Sequence, residues 1–117
     1  MIIYTATVEE WEKIKKQKEF ISENFDEERF IHCSFPNQTL WVLNKHYKSE
    51  EKVILLCINP GLLKSNLVIE DLKGRGEEFP HIYGSVNVDA IEKTIEIYPS
   101  DDGKFYENGE LKKLIKE

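Results

Sequence analysis

The 117-residue chain is sparing in the features that would staple it, thread it through a membrane or bind it broadly to nucleic acid. It has two cysteines, Cys33 and Cys57, and neither lies in a Cys-x-x-Cys pair. A disulfide scaffold is thereby excluded, and the expectation is two reduced, buried thiols in a cytoplasmic protein. No apolar run approaches the roughly 18 residues that cross a bilayer. The longest, Val53 to Ile58, has the length of a strand, so no membrane partner is expected. The start, Met1-Ile2-Ile3-Tyr4, enters a β-prone stretch at once and lacks the charged beginning and long apolar region of a secretion signal. Basic residues are in deficit, 16 against 22 acidic ones, and the net charge of −6 disfavours general nucleic-acid binding. The three histidines, His32, His46 and His81, show no zinc-site spacing, so no metal is expected. There is no Gly-x-Ser-x-Gly nucleophile elbow. Gly74-Arg75-Gly76 is too short to be a phosphate-binding fingerprint.

What remains is the composition of a small globule, 40% hydrophobic, with six Phe, five Tyr and two Trp. A chain of this size buries roughly two-thirds of its unfolded surface, enough for one domain over residues 1–117. Ile2 to Ala6 reads as a strand. Thr7-Val8-Glu9-Glu10 has the form of a capping box, opening a helix through Val8, Trp11 and Ile14 to about Lys18. Phe30 to Ser34 is a short strand, and Pro36 starts a helix with Leu40, Leu43 and Tyr47 turned inward. Lys52 to Ile58 is the central strand, ended by Asn59-Pro60-Gly61. Leu67 to Glu70 is extended, Asp71 to Glu78 is a polar loop, and Phe79 to Gly84 is extended again. Val88 to Lys93 reads as one or two helical turns, Thr94 to Tyr98 as a strand, and Glu110 to Lys116 as a short closing helix. Two main helices near the N-terminus followed by strands make this an α+β domain.

Two stretches place polar groups in apolar, extended surroundings. In Phe30-Ile31-His32-Cys33-Ser34, alternation puts Phe30, His32 and Ser34 on one face and Ile31 and Cys33 on the other. In Phe79-Pro80-His81-Ile82-Tyr83-Gly84, His81 and Tyr83 share a face, and Gly84 leaves a gap for close approach to the backbone. Imidazoles that donate and accept, a phenol ring and a glycine gap suit a sugar or nucleotide. His32, Ser34, His81, Tyr83 and Gly84 are therefore the candidate ligand contacts. Glu70, at the end of a strand, could bond a ribose hydroxyl or stabilise a developing oxocarbenium ion, and is the candidate catalytic carboxylate. Either histidine could instead serve only to satisfy buried backbone groups.

From about Ile3 to Tyr98 the chain resembles the small bacterial proteins of the domain-of-unknown-function family 952. The resemblance is carried by Ile3-Tyr4, the Glu10-Trp11 helix, Phe30 to Ser34, Pro36 with Gln38, the strand Val53 to Ile58, and Phe79 to Gly84. Residues 99–117 lie beyond it as a C-terminal extension. The resemblance implies a fold like that of the ADP-ribosyltransferase superfamily, with a split or strongly bent β-sheet whose cleft holds NAD. It further implies His contacting the nicotinamide ribose, Tyr stacking on the ring, and a glycosyltransferase of the ADP-ribosyltransferase type acting at the nicotinamide–ribose bond. Many family members carry His directly after the first-strand Tyr, where this chain has Thr5. A non-catalytic module that binds a small metabolite or a protein is the alternative.

Overall fold

The computed structural model describes residues 1–117. The elements run β1 (Ile2–Thr7), α1 (Val8–Ile14), β2 (Glu19–Phe20), α2 (Phe25–Glu28), β3 (Ile31–His32), α3 (Thr39–His46), β4 (Val53–Ile58), β5 (Asn66–Glu70), β6 (Phe79–Tyr83), β7 (Val86–Asn87), β8 (Ile91–Ile97) and α4 (Gly109–Lys116). All strand pairs are antiparallel. This is the α+β domain expected.

β4 is apolar at all six positions and every one is buried, which fixes it at the centre of a sheet ordered β1-β4-β8. Its alternation divides the interior in two. Ile54, Leu56 and Ile58 face a core shared with Tyr4, Phe20, Ile31 and Ile82. Val53, Leu55 and Cys57 face a second core with Leu43, Ile95, Phe105 and Leu111. A second sheet, ordered β3-β6-β5, meets the first at one bridge. There Ile3 and Ser34 exchange both backbone hydrogen bonds, 2.8 and 2.9 Å. The sheet is thus split, with a single point of continuity.

The helices depart from the sequence reading in three ways. α1 stops at Ile14, because Lys15 to Lys18 offer no apolar anchor and Phe20 is drawn into the first core through β2. Thr7 caps α1 as expected, its Oγ1 accepting from the Glu10 amide at 3.1 Å. The Glu10 carboxylate, however, accepts from the Tyr4 hydroxyl at 2.6 Å. The closing helix expected over Glu110 to Lys116 is present as α4, but it matches α3 in length and buries Leu111 and Leu114, so the main helices are not all near the N-terminus. Val88 to Lys93 supplies only a 3-10 turn over Val88–Ala90, and β8 begins at Ile91. No helix is long and apolar enough to cross a membrane.

Both cysteines are buried, and loss of solvation pushes both thiols upward, that of Cys57 to about 11. A thiol-specific chromogenic reagent at pH 8 should therefore label neither cysteine in the folded chain on the timescale on which denatured chain reacts twice. Rapid labelling of folded chain would contradict this packing.

Candidate functional site

His32 on β3 and His81 on β6 are cross-strand partners. The neighbouring pair is hydrogen-bonded, with the Cys33 amide donating to the Pro80 carbonyl at 3.0 Å. His32 and His81 thus occupy the non-hydrogen-bonded position, where facing side chains come closest. Their rings meet edge to face, 5.2 Å between centroids. Phe30 lies beneath both, stacked on His81 at 4.2 Å and 4.7 Å from His32, and it also reaches Tyr83 at 5.4 Å. The chain reaches this position through Arg29, whose left-handed φ of 70° ends α2 and turns the backbone into Phe30.

Each imidazole has its own carboxylate. His32, half-exposed, bonds Glu28 through Nε2. His81, nearly buried, bonds Glu70 Oε2 through Nδ1 at 2.8 Å. Glu70 stands opposite Phe79 on the paired strands, so it reaches His81 diagonally. The Tyr83 hydroxyl donates to the same Oε2. The Tyr83 bond first, then the His81 bond, hold the Glu70 carboxyl below its usual range, and Glu70 in turn pushes the Tyr83 phenol up. Glu70 is therefore ionised at neutral pH, and an ionised carboxylate only accepts hydrogen bonds. It follows that Nδ1 of His81 carries the proton of that bond, leaving Nε2 as the acceptor of a neutral ring. Nε2 makes no hydrogen bond within the protein, and no buried side-chain nitrogen or oxygen of the chain lacks a partner. This nitrogen is thus left without a partner inside the protein and is not completely sealed from the surface.

The structure brings together His32, His81, Tyr83 and Glu70, but not the other two candidates. Ser34 is buried, with its Oγ 2.9 Å from Thr39 Oγ1. The alternation that would place it beside His32 ends when the backbone leaves β3 to bridge Ile3 in the other sheet. At Gly84 the gap is filled by the protein itself, since a Cβ there would lie 2.5 Å from Ser65 Oγ. Glu28 and its pairing with His32 escaped the sequence reading. The signal was their four-residue spacing, obscured because α2 has only four residues. His46, at the end of α3, is lowered in pKa by burial and then by Lys45, Lys73 and His32. Two concavities, of about 440 and 220 Å³, lie beside Thr7 and Glu9 and do not include the histidine pair, which occupies a sheet face. No three His, Cys, Asp or Glu side chains converge as a metal ion would need.

The family described as Protein of unknown function (DUF952) matches residues 5–94, a span that contains both histidines, Glu70 and Tyr83. The chain belongs to this family. A crystal structure of protein CC0527 from Caulobacter crescentus superposes with a TM-score of 0.83 at 25% identity, covering 95% of this chain and 97% of that one. The solution structure of CC0527 gives 0.67 at 25% identity, over 88% and 89% of the two chains. No curated protein matches this chain.

Proposed function

We propose that this DUF952 chain binds an NAD-like nucleotide on the His32–His81 face and acts at its nicotinamide–ribose bond. The observation that carries this reading is the paired imidazoles with one of them oriented by Glu70, leaving His81 Nε2 free to accept from a ribose hydroxyl. Tyr83, about a third exposed, offers its ring to the nicotinamide. His32 stands beside it as a further sugar or phosphate contact. In the reaction the C1′–N bond breaks and its electron pair leaves with nicotinamide. The cationic ribose is stabilised by the ionised Glu70 carboxylate, whose Oε1 makes no bond within the protein. An acceptor, water included, then forms the new bond to C1′ and releases its proton. A strong nucleophile from the chain is not required. The second reading, a non-catalytic binding module, is favoured by Thr5, which is buried in β1 where many relatives are expected to carry His.

NAD titration followed by NMR tests the site. Signals of His32, His81 and Tyr83 should move at millimolar NAD or below. Loss of either imidazole should weaken binding roughly tenfold, the value of one good hydrogen bond. Silence at millimolar NAD, or an unchanged response when His32→Ala and His81→Ala are combined, overturns the proposal. Release of nicotinamide by the native chain and not by Glu70→Gln supports the enzyme, whereas binding without release supports the module.

A further inference from the structure

The two sheets end differently at their outer strands. β8 carries the charges of Glu92, Lys93 and Glu96, and the Asn108 side-chain amide covers the Glu96 carbonyl at 3.1 Å. β5 has no such protection. Its sequence, Asn66-Leu67-Val68-Ile69-Glu70, contains no lysine and no proline, and it pairs with β6 without a bulge as the outer strand of the β3-β6-β5 sheet. Unpaired N–H and C=O groups along such an edge are a template for another strand, and proteins that stay apart blunt them.

The pleat decides which groups are unpaired. The Pro80 carbonyl accepts from the Cys33 amide, so Pro80 and Ile82 turn their backbone groups toward β3, and His81 turns its own toward Val68 on β5. Val68 therefore bonds to β6, whereas Leu67 and Ile69 point their N–H and C=O groups outward. These groups have no hydrogen-bond partner elsewhere in the chain. The Ile69 side chain beside them is 40% exposed.

We infer that β5 is an association edge on which a second copy of this chain docks, antiparallel, about a twofold axis at Val68. In that register Leu67 opposes the partner's Ile69 and Ile69 opposes the partner's Leu67, so every outward N–H meets an outward carbonyl. Val68 meets the partner's Val68, and Asn66 faces the partner's Glu70, an amide donor opposite a carboxylate. An axis at Ile69 would instead set Val68 against the partner's Glu70, and an axis at Leu67 would set Asn66 against the partner's Val68. The charges also permit the pairing. Glu70 is the one charged residue of β5, and the two copies of it stand four residues apart along the paired strands. That separation, roughly 13 Å, exceeds the screening length of about 8 Å at physiological salt.

The axis runs normal to the sheet, so the product is one continuous sheet of six strands with both histidine faces on the same side. Since His81 opposes Val68, the two His81 residues lie three strand spacings apart, roughly 14 Å. The pairing stands independently of what the histidine face binds.

Cross-linking tests the register and sedimentation tests the association. Cys33 and Cys57 are buried, so an introduced thiol reports alone. Val68→Cys places a thiol on the axis at a non-hydrogen-bonded position, within disulfide reach of its copy, and mild oxidation should yield a covalent dimer. Ile69→Cys, off the axis, should cross-link several-fold more slowly. For the native chain, the sedimenting mass should rise from one chain toward two between about 10 μM and about 1 mM, the range for an interface at the small end of the scale. Ile69→Pro removes an outward N–H and no bond to β6, and Ile69→Lys places a charge on the edge. Both should need at least tenfold more chain to associate while melting as cooperatively as the native protein, and either one that folds suffices. A native chain still single at about 1 mM, or a dimer indifferent to both Ile69 variants, overturns the proposal. Ile69→Cys cross-linking as readily as Val68→Cys overturns the register.

Discussion

Removal of residues 99–117 should abolish cooperative folding, although these residues lie beyond the stretch that carries the sequence resemblance. Phe105, Leu111 and Leu114 are among the buried residues of the second core, against Leu43, Leu55, Ile95 and Ile97. Truncating a single such side chain to alanine costs about 2–5 kcal/mol, and a domain's whole stability is about 5–15 kcal/mol. The segment is also held by its backbone. Asn44 on α3 donates to the Phe105 carbonyl at 3.0 Å and accepts from the Phe105 amide at 2.8 Å. Asn108 caps α4, accepting from the Leu111 amide at 2.9 Å, and its Nδ2 donates to the Glu96 carbonyl on β8. The milder variant Leu111→Ala should lose about 3 kcal/mol in denaturant unfolding. A chain of residues 1–98 that melts as cooperatively as the whole protein would show that the second core closes without α4.

The next largest effect is expected at Gly84. An alanine Cβ there would meet Ser65 Oγ at 2.5 Å and Ser65 Cβ at 2.9 Å, with φ at +153°. Ser65 is not free to swing aside, because its hydroxyl donates to the Ser85 carbonyl at 2.6 Å. Gly84→Ala should destabilise by about 1–3 kcal/mol, in the range of overpacking. Ser65→Gly combined with it removes the obstructing atoms and should recover about 1 kcal/mol or more as a coupling term, leaving only backbone strain. Strict additivity of the two changes would mean that the clash is not the cause.

These two positions show where the sequence was legible and where it was not. β4 was readable because six apolar residues bounded by a Pro-Gly turn have few other uses. The histidine face was readable because period-two alternation holds wherever a strand persists, and β6 persists through Tyr83. Ser34 falls outside the expected face because β3 ends at His32, and alternation has no meaning once the chain changes sheets. Gly84 suggests a gap for a ligand, but a sequence cannot say what fills a gap, and here it is Ser65 of the protein itself. β2 and β7, two residues each, are too short to leave a periodic signal and are held by the tertiary structure. The weight of α4 is hard to read in the sequence because its buried apolar residues, Leu111 and Leu114, are few, and their place in the second core is set by tertiary packing.

The proposed chemistry depends on Glu70 holding His81 in one tautomer beside His32. The depressed Glu70 pKa means that this bond is fully present above the ordinary carboxylate range and is lost only as pH falls through the lowered value. The most direct measurement is the imidazole nitrogen-15 correlation spectrum at pH 8, above the ordinary histidine range, recorded with and without NAD. The prediction is a protonated Nδ1 and a bare Nε2 for His81, with Nε2 moving on NAD addition and the tautomer losing its preference in Glu70→Gln. A His81 protonated on Nε2, or an Nε2 signal indifferent to saturating NAD, would contradict it.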